Sequence, residues 1–211
     1  GIQWIEKIPE GWEMVKLKYL LHDSLMYGAN EPAESDNKQW PRYIRITDIA
    51  ENGTLKVDTF KTLSPPKANG YLLKKGDILF ARSGATVGKT FLFNENYAAC
   101  FAGYLIKATP DQTRLLSKFL YFYTLSNAYV SWKDSIYIQS TIQNIGADKY
   151  SVLPVSTPPL SEQQAIVKYL DKKTSDIDTA LDQMDTQIAD LQAYRTALIS
   201  EAVTGKIDVR L

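Results

Sequence analysis

From Ser161 to Val203 the chain runs for 43 residues without a proline or a glycine. Such a stretch is helical unless its apolar residues say otherwise, and here they agree. Val167, Leu170, Thr174, Ile177, Leu181, Met184, Ile188, Leu191, Arg195, Leu198 and Ala202 recur at alternating steps of three and four, which places them on one seam. The Ser161-Glu-Gln-Gln164 string reads as a capping box that starts the helix, and Gly205 as its C-cap. At 1.5 Å per residue the helix is roughly 65 Å long, more than a domain of this size is wide. Leaving its leucines and isoleucines in water forgoes on the order of 1.5–3 kcal/mol each, so a partner helix is expected over Leu170, Ile177, Leu181, Met184, Ile188, Leu191 and Leu198. The competing arrangement is a helix folded back on its own domain. Thr174 and Arg195 are polar seam positions suited to setting register.

The 160 residues before the helix read as a mixed domain, so the chain is expected to be α+β: a globular domain over 1–160 and a helical region over 161–211. Strands are predicted around Arg42–Ile49, with a turn at Asn52-Gly53, then over Ile78–Ala81, Thr90–Phe93 and Ala98–Ala108. Leu115, Leu116, Phe119, Leu120, Phe122 and Tyr123 have helical spacing, with Asp111 as the N-cap. Leu153-Pro-Val-Ser-Thr-Pro-Pro-Leu160 forbids helix and predicts an extended lead-in.

The formal net charge of zero argues against a strongly basic binder, but it is unevenly divided. Residues 161–203 carry eight acids and four bases; residues 1–160 carry 15 acids and 18 bases. The globular part is therefore mildly basic, which permits phosphate binding without demanding it. Cys100 stands alone, in the apolar run Ala98-Ala-Cys-Phe-Ala102, so no disulfide forms within the chain and a buried thiol is expected. No segment has the length of a membrane span, and Gly-Ile-Gln-Trp-Ile-Glu at the start lacks the pattern of a signal peptide. A cytoplasmic protein is the expectation.

Ser83-Gly-Ala-Thr-Val-Gly-Lys-Thr90 looks like a phosphate-binding P-loop but fails on two counts. Ser83 stands where the first glycine belongs, and Phe91-Leu-Phe93 reads as strand where a helix N-terminus is needed. What survives is a glycine-flexed loop carrying Arg82, Ser83, Thr86, Lys89 and Thr90, suited to a phosphate backbone and equally consistent with a plain hairpin turn. In Lys133–Asn144, the side chains of Gln139, Ser140, Thr141, Gln143 and Asn144 are of the types that meet base edges and phosphates, and also of the types that fill ordinary loops. His22 has no evident partner, so neither a catalytic arrangement nor a metal cluster is expected.

Five strings together carry a family resemblance: Ile2-Gln-Trp-Ile-Glu-Lys-Ile-Pro-Glu-Gly-Trp12, Gly76-Asp-Ile-Leu-Phe-Ala-Arg-Ser-Gly84, Gln139-Ser-Thr-Ile-Gln-Asn-Ile145, Pro158-Pro-Leu-Ser-Glu-Gln-Gln-Ala-Ile166 and Leu198-Ile-Ser-Glu-Ala-Val-Thr-Gly-Lys-Ile-Asp-Val-Arg210. They resemble the specificity subunit of type I restriction-modification systems, from end to end. The resemblance implies a target recognition domain followed by a helical spacer that docks the modification subunits. It implies no catalysis and no cofactor on this chain, with S-adenosylmethionine, ATP and Mg used by the modification and restriction subunits. The family's usual subunit has two recognition domains and two helical regions, whereas 211 residues supply one of each. A natural half-subunit that dimerises, or one half of a longer subunit, is therefore implied, with a second helix called for in either case and antiparallel pairing in a symmetric dimer. Duplex DNA is the implied ligand: Arg82, Lys89 and Lys133 are expected on phosphates, and Tyr137, Gln139, Ser140, Thr141 and Gln143 close to the groove. The rival readings are a coiled-coil scaffold with no nucleic-acid role and, resting only on the defective P-loop, a small nucleotide hydrolase.

Overall fold

The computed structural model describes residues 8–33, 35–50, 53–138 and 144–209. The chain forms two compact units, residues 1–167 and 168–211. In the first, β1 (Glu13–Lys16) leads through a 3-10 turn into β2 (Met26–Tyr27) and β3 (Arg42–Ile44). A short helix α1 (Pro65–Ala68) precedes β4 (Ile78–Ala81), β5 (Thr90–Leu92), β6 (Ala99–Phe101) and β7 (Leu105–Ala108). Helices α2 (Ser117–Thr124), α3 (Asn127–Ile138) and α4 (Ala147–Ser151) follow, then β8 (Pro154–Thr157) and the long α5 (Leu160–Val203). The mixed α/β fold with a long C-terminal helix is the one expected.

The unbroken apolar run Ile78–Ala81 is a strand buried on both faces, as a run without alternation should be. It lies between β7 and β5 in the antiparallel order β2-β7-β4-β5. Because side chains alternate, Ile78 and Phe80 enter one core with Leu17, Leu120, Tyr129 and Tyr150. Leu79 and Ala81 enter another with Ile44, Phe91, Phe101 and Leu105. Just before the strand, the buried Asp77 carboxylate accepts from the Lys74 amide at 2.8 Å and the Thr109 hydroxyl at 2.6 Å, which compensates its burial.

Several expected elements are shorter or divided. The strand expected over Arg42–Ile49 stops at Ile44, and residues Ile46–Asp48 form a 3-10 turn. The Asp48 carboxylate causes this: it accepts from the Arg45 amide at 2.8 Å and from the Arg45 guanidinium at 3.1 and 2.7 Å, folding the chain back. Ile49 still bridges Leu55. The run Ala98–Ala108 splits into β6, parallel to β3, and β7, antiparallel to β4. Helix α2 begins at Ser117, since Leu116 is extended at φ −68° and ψ 131°; the Asp111 carboxylate instead caps a separate turn before it, accepting from the amide and hydroxyl of Thr113 at 2.9 and 2.7 Å. Helix α3 was not expected at all, although Tyr129, Trp132 and Ile136 have helical spacing and pack into the core.

The start and finish of this unit are joined. β1 pairs antiparallel with β8, from Glu13 opposite Thr157 to Lys16 opposite Pro154, so the proline-rich lead-in is extended as predicted. The Trp12 indole N–H then donates to Glu162 Oε2 at 2.9 Å. Helix α5 opens one residue before Ser161, with the Pro159 carbonyl accepting from the Glu162 and Gln163 amides, so Ser161 sits in the first turn rather than capping it. The buried side chain near the helix start is Gln163. Its Nε2 donates to the carbonyls of Arg114 and Pro158, and its Oε1 accepts from the Leu116 amide, each at 2.9 Å.

In the second unit every residue from Lys172 to Glu201 is exposed. Gly205 ends the helix in the left-handed region at φ +73°, with the Lys206 amide donating to the Glu201 carbonyl at 2.9 Å. Among the described residues, no helix is long and apolar enough to cross a membrane.

Two predictions test this packing. Gln163→Leu strands two buried carbonyls and one amide, so the first unit should lose about 2 kcal/mol or more, read as a fall of roughly 4–8 °C in the thermal midpoint for a chain of this size. Burial pushes the Cys100 thiol up to about 12, so the folded protein should resist a disulfide reagent at pH 8 and react promptly in denaturant.

Candidate nucleic-acid interface

The loop that imitates a P-loop connects β4 to β5 in an antiparallel hairpin, with Phe80 opposite Thr90. Its middle, Gly84–Thr86, is a single 3-10 turn, and strand follows where a P-loop would need a helix. The hairpin is held from behind by α2 and α3: the hydroxyls of Thr90 and Thr124 are 2.7 Å apart, and Tyr129 donates its hydroxyl to the Gly88 carbonyl at 2.8 Å. Phe80, Tyr129, Trp132 and Tyr150 stack in sequence beneath it, with successive centroids between 4.7 and 6.5 Å apart. This aromatic base makes the hairpin a stiff platform.

Three of the expected site residues converge here. Thr86, Lys89 and Lys133 line one open cleft of about 250 Å3 with Gly88, Thr124 and Tyr129. Gly88 makes the convergence possible. It lies at φ +80°, and a Cβ on it would collide with the aliphatic stem of Lys133. The Lys133 ammonium is 3.5 Å from Asp134 Oδ1, whose side chain is largely exposed.

Arg82 and Ser83 lie apart from that cleft, at the end of β4. The Arg82 amide donates to the Tyr104 carbonyl at 3.1 Å, Ile145 donates to the Arg82 carbonyl at 2.8 Å, and Ser83 bridges Asn144. The Arg82 guanidinium sits 4.8 Å from the centroid of the Tyr27 ring, and its Nε donates to Asn144 Oδ1 at 3.5 Å. The Tyr27 hydroxyl in turn accepts from the Ala147 amide at 2.9 Å. Tyr27 and Tyr104 were not among the expected site residues. They are exposed aromatics flanking an arginine, but positions 27, 82, 104 and 144 are joined only by strand pairing, which no local spacing reveals.

Tyr137 falls in α3, but its side chain lies outside what the structure describes, and Gln139, Ser140, Thr141 and Gln143 lie outside the described residues. His22 is exposed beside Asp23, at 3.2 Å. Among the described residues, no group of three or more histidine, cysteine or acidic side chains is placed to hold a metal ion.

The family model described as the type I restriction modification DNA specificity domain matches residues 9–185. The type I restriction enzyme EcoDI specificity subunit of Escherichia coli is 23% identical over 193 residues, which cover 83% of this chain and 44% of that protein. A putative type I restriction enzyme specificity subunit of Haemophilus influenzae is 37% identical over 100 residues, 47% of this chain and 24% of that protein. The fold is shared with a chain from a structure of the type I R-M system, at a TM-score of 0.73 and 20% identity over 93% of this chain and 46% of that one. It is shared also with the HsdS subunit from Thermoanaerobacter tengcongensis, at a TM-score of 0.64 and 21% identity over 95% and 47%. The chain thus spans less than half the length of these relatives. With the family model covering most of its length, this chain belongs to the type I restriction modification DNA specificity domain family.

Proposed function

We propose that this chain is a non-catalytic specificity subunit that reads one half of a split duplex DNA target, in the cytoplasm, and docks methyltransferase and restriction subunits on its helical region. The observation that carries the reading is the Lys89–Lys133 cleft. Two basic side chains from separate elements meet beside a glycine, on a hairpin braced by stacked aromatics. An open cleft with two cations and a threonine hydroxyl suits a phosphate, whose binding is paid by counterion release rather than by a deep pocket. The excess of bases over acids in residues 1–160 has the same sign. Tyr137, Gln139, Ser140, Thr141 and Gln143, which follow Lys133 in sequence, remain the proposed groove-facing side chains. Domain limits of 1–160 for recognition and 161–211 for spacing and docking go with this reading. S-adenosylmethionine, ATP and Mg would be bound by the partners, leaving this chain to supply position.

The seam of α5 supports the second half of the proposal. Ile177, Leu181, Met184, Ile188, Leu191 and Leu198 are between 43 and 66% exposed, and Leu170 is half-buried. A second copy of the same helical region would cover them by antiparallel pairing, and the other half of a longer subunit would supply an equivalent helix. Identical recognition units would then read a palindromic site of two half-sites at a fixed gap. A scaffold without a nucleic-acid role would pair its helices equally well but would not retain duplex DNA in a salt-dependent way.

Two measurements check the proposal. Lys89→Ala should weaken binding to all duplex sequences alike and reduce the slope of log affinity against log salt by about one; unchanged affinity and slope would remove Lys89 from the interface. Light scattering should show a dimer that Leu181→Lys converts to monomer with an unaltered circular dichroism spectrum. A wild-type monomer that protects a single contiguous short site in footprinting would defeat the dimer.

A further inference from the structure

We propose that Arg82 reads a guanine in the DNA half-site and that Tyr27 is the positioning residue that aims it. The inference rests on the reading of this chain as a DNA specificity subunit and assigns to Arg82 a different task from the phosphate contact expected from sequence.

Three restraints act on one side chain. Strand pairing sets its root, because Ala81 is opposite Leu105 and the Arg82 amide continues the ladder to Tyr104. The ring of Tyr27, opposite Ile106 on the other side of β7, covers one face of the guanidinium at 4.8 Å. Asn144 Oδ1 lies 3.5 Å from Nε, a long contact at that edge. Tyr27 is itself anchored, since β2 fixes its backbone and the Ala147 amide fixes its hydroxyl. Among the described residues, no carboxylate pairs with Arg82 and its two terminal nitrogens have no hydrogen-bond partner. The cluster opens to solvent, with Tyr27 41% and Tyr104 63% exposed.

A guanidinium covered on one face by a ring, with Asn144 beside its Nε and its fork presented outward, is more than a phosphate requires. Phosphate neutralisation needs a charge within reach, and a lysine on a flexible stem supplies one, as Lys89 and Lys133 do in the neighbouring cleft. A bidentate bond to a base edge needs the plane and the roll of the donor pair to be right before contact, and the O6 and N7 of guanine in the major groove are the pair of acceptors that matches an arginine fork. Stacking on Tyr27 meets that need in advance.

The test is selection of binding sites from a randomised duplex pool by the full chain assembled with its modification subunit, with the salt dependence of affinity measured beside it. Wild type should select guanine at one position of each half-site. Arg82→Lys keeps the charge and loses the fork, so preference at that position should fall on the order of ten- to a hundredfold with the other positions and the salt slope unchanged. Tyr27→Leu should relax the same position although Arg82 is intact, and Tyr27→Phe, which keeps the ring, should retain the preference. A merely structural role for Tyr27 would not move one position alone. If Tyr27→Leu fails to fold by thermal melting, Arg82→Lys and Tyr27→Phe still decide the matter. The inference is overturned if Arg82→Lys leaves the selected sequence unchanged, or if the charge-removing Arg82→Met weakens all sequences equally with a flatter salt slope, which would make Arg82 a phosphate contact. A wild-type complex that selects no sequence would instead overthrow the specificity-subunit reading, and this inference with it.

Discussion

A strand of four residues, buried on both faces and paired on both edges, is the constraint on which the recognition unit depends. Ile78 and Phe80 lock it to the α-helical side, and Leu79 and Ala81 to the β3–β6 side, so neither core can shift without dragging the strand. The residues at its two ends inherit that rigidity. Asp77 closes the turn before it, and Arg82 leaves its far end at a position set by the Tyr104 carbonyl. Placing polar side chains on the tip of a doubly buried strand gives precision that a surface loop lacks, because backbone entropy there has already been lost in folding.

The second determinant is closure of the chain upon itself. β1 returns to β8, and Trp12 reaches Glu162. Gln163 ties the first turn of α5 to the segment ahead of α2 through three hydrogen bonds with no surplus donor, since both N–H groups of its amide are used. A glutamine serves where an apolar residue would not, because three backbone groups meet there and would otherwise be buried without partners. This explains why strings far apart in sequence, around Trp12 and around Pro158–Ile166, take part in one feature: they are two sides of the same junction.

The helix was the most legible element, because its signal is repetition over many turns and owes nothing to the rest of the fold. The doubly buried strand was legible for a related reason, as an apolar run needs cover on both faces wherever it lies. Legibility failed where a single side chain redirects the backbone. Asp48 turns the chain after Ile44, where propensity called for strand, and Asp111 caps only a single turn because Leu116 is extended and the helix starts after it. Helix α3 was hidden by its own residues, since Tyr129, Val130, Trp132 and Ile136 favour strands by type while obeying helical spacing. In the candidate site, Thr86 and Lys89 were singled out by residue chemistry and Lys133 through the family resemblance, and the fold brings the three into one cleft. Tyr27 was not, because its role depends on β2 and β4 lying on either side of β7, a relation between positions 55 residues apart.

In the proposed interface that arrangement separates two demands that nucleic-acid recognition places on basic side chains. Affinity asks for charge and tolerates motion, whereas discrimination asks for geometry and is weakened by motion. The cleft carries lysines, one packed on Gly88 and ion-paired with an exposed aspartate. The strand end carries an arginine stacked on a ring and held at one edge. Mild overall basicity is then an advantage rather than a deficiency. With only a small excess of bases in residues 1–160 and an acidic excess in residues 161–203, non-specific attraction stays low. The ratio between right and wrong sequences is left to the few oriented contacts, and that ratio, more than the affinity itself, is what a specificity subunit must supply.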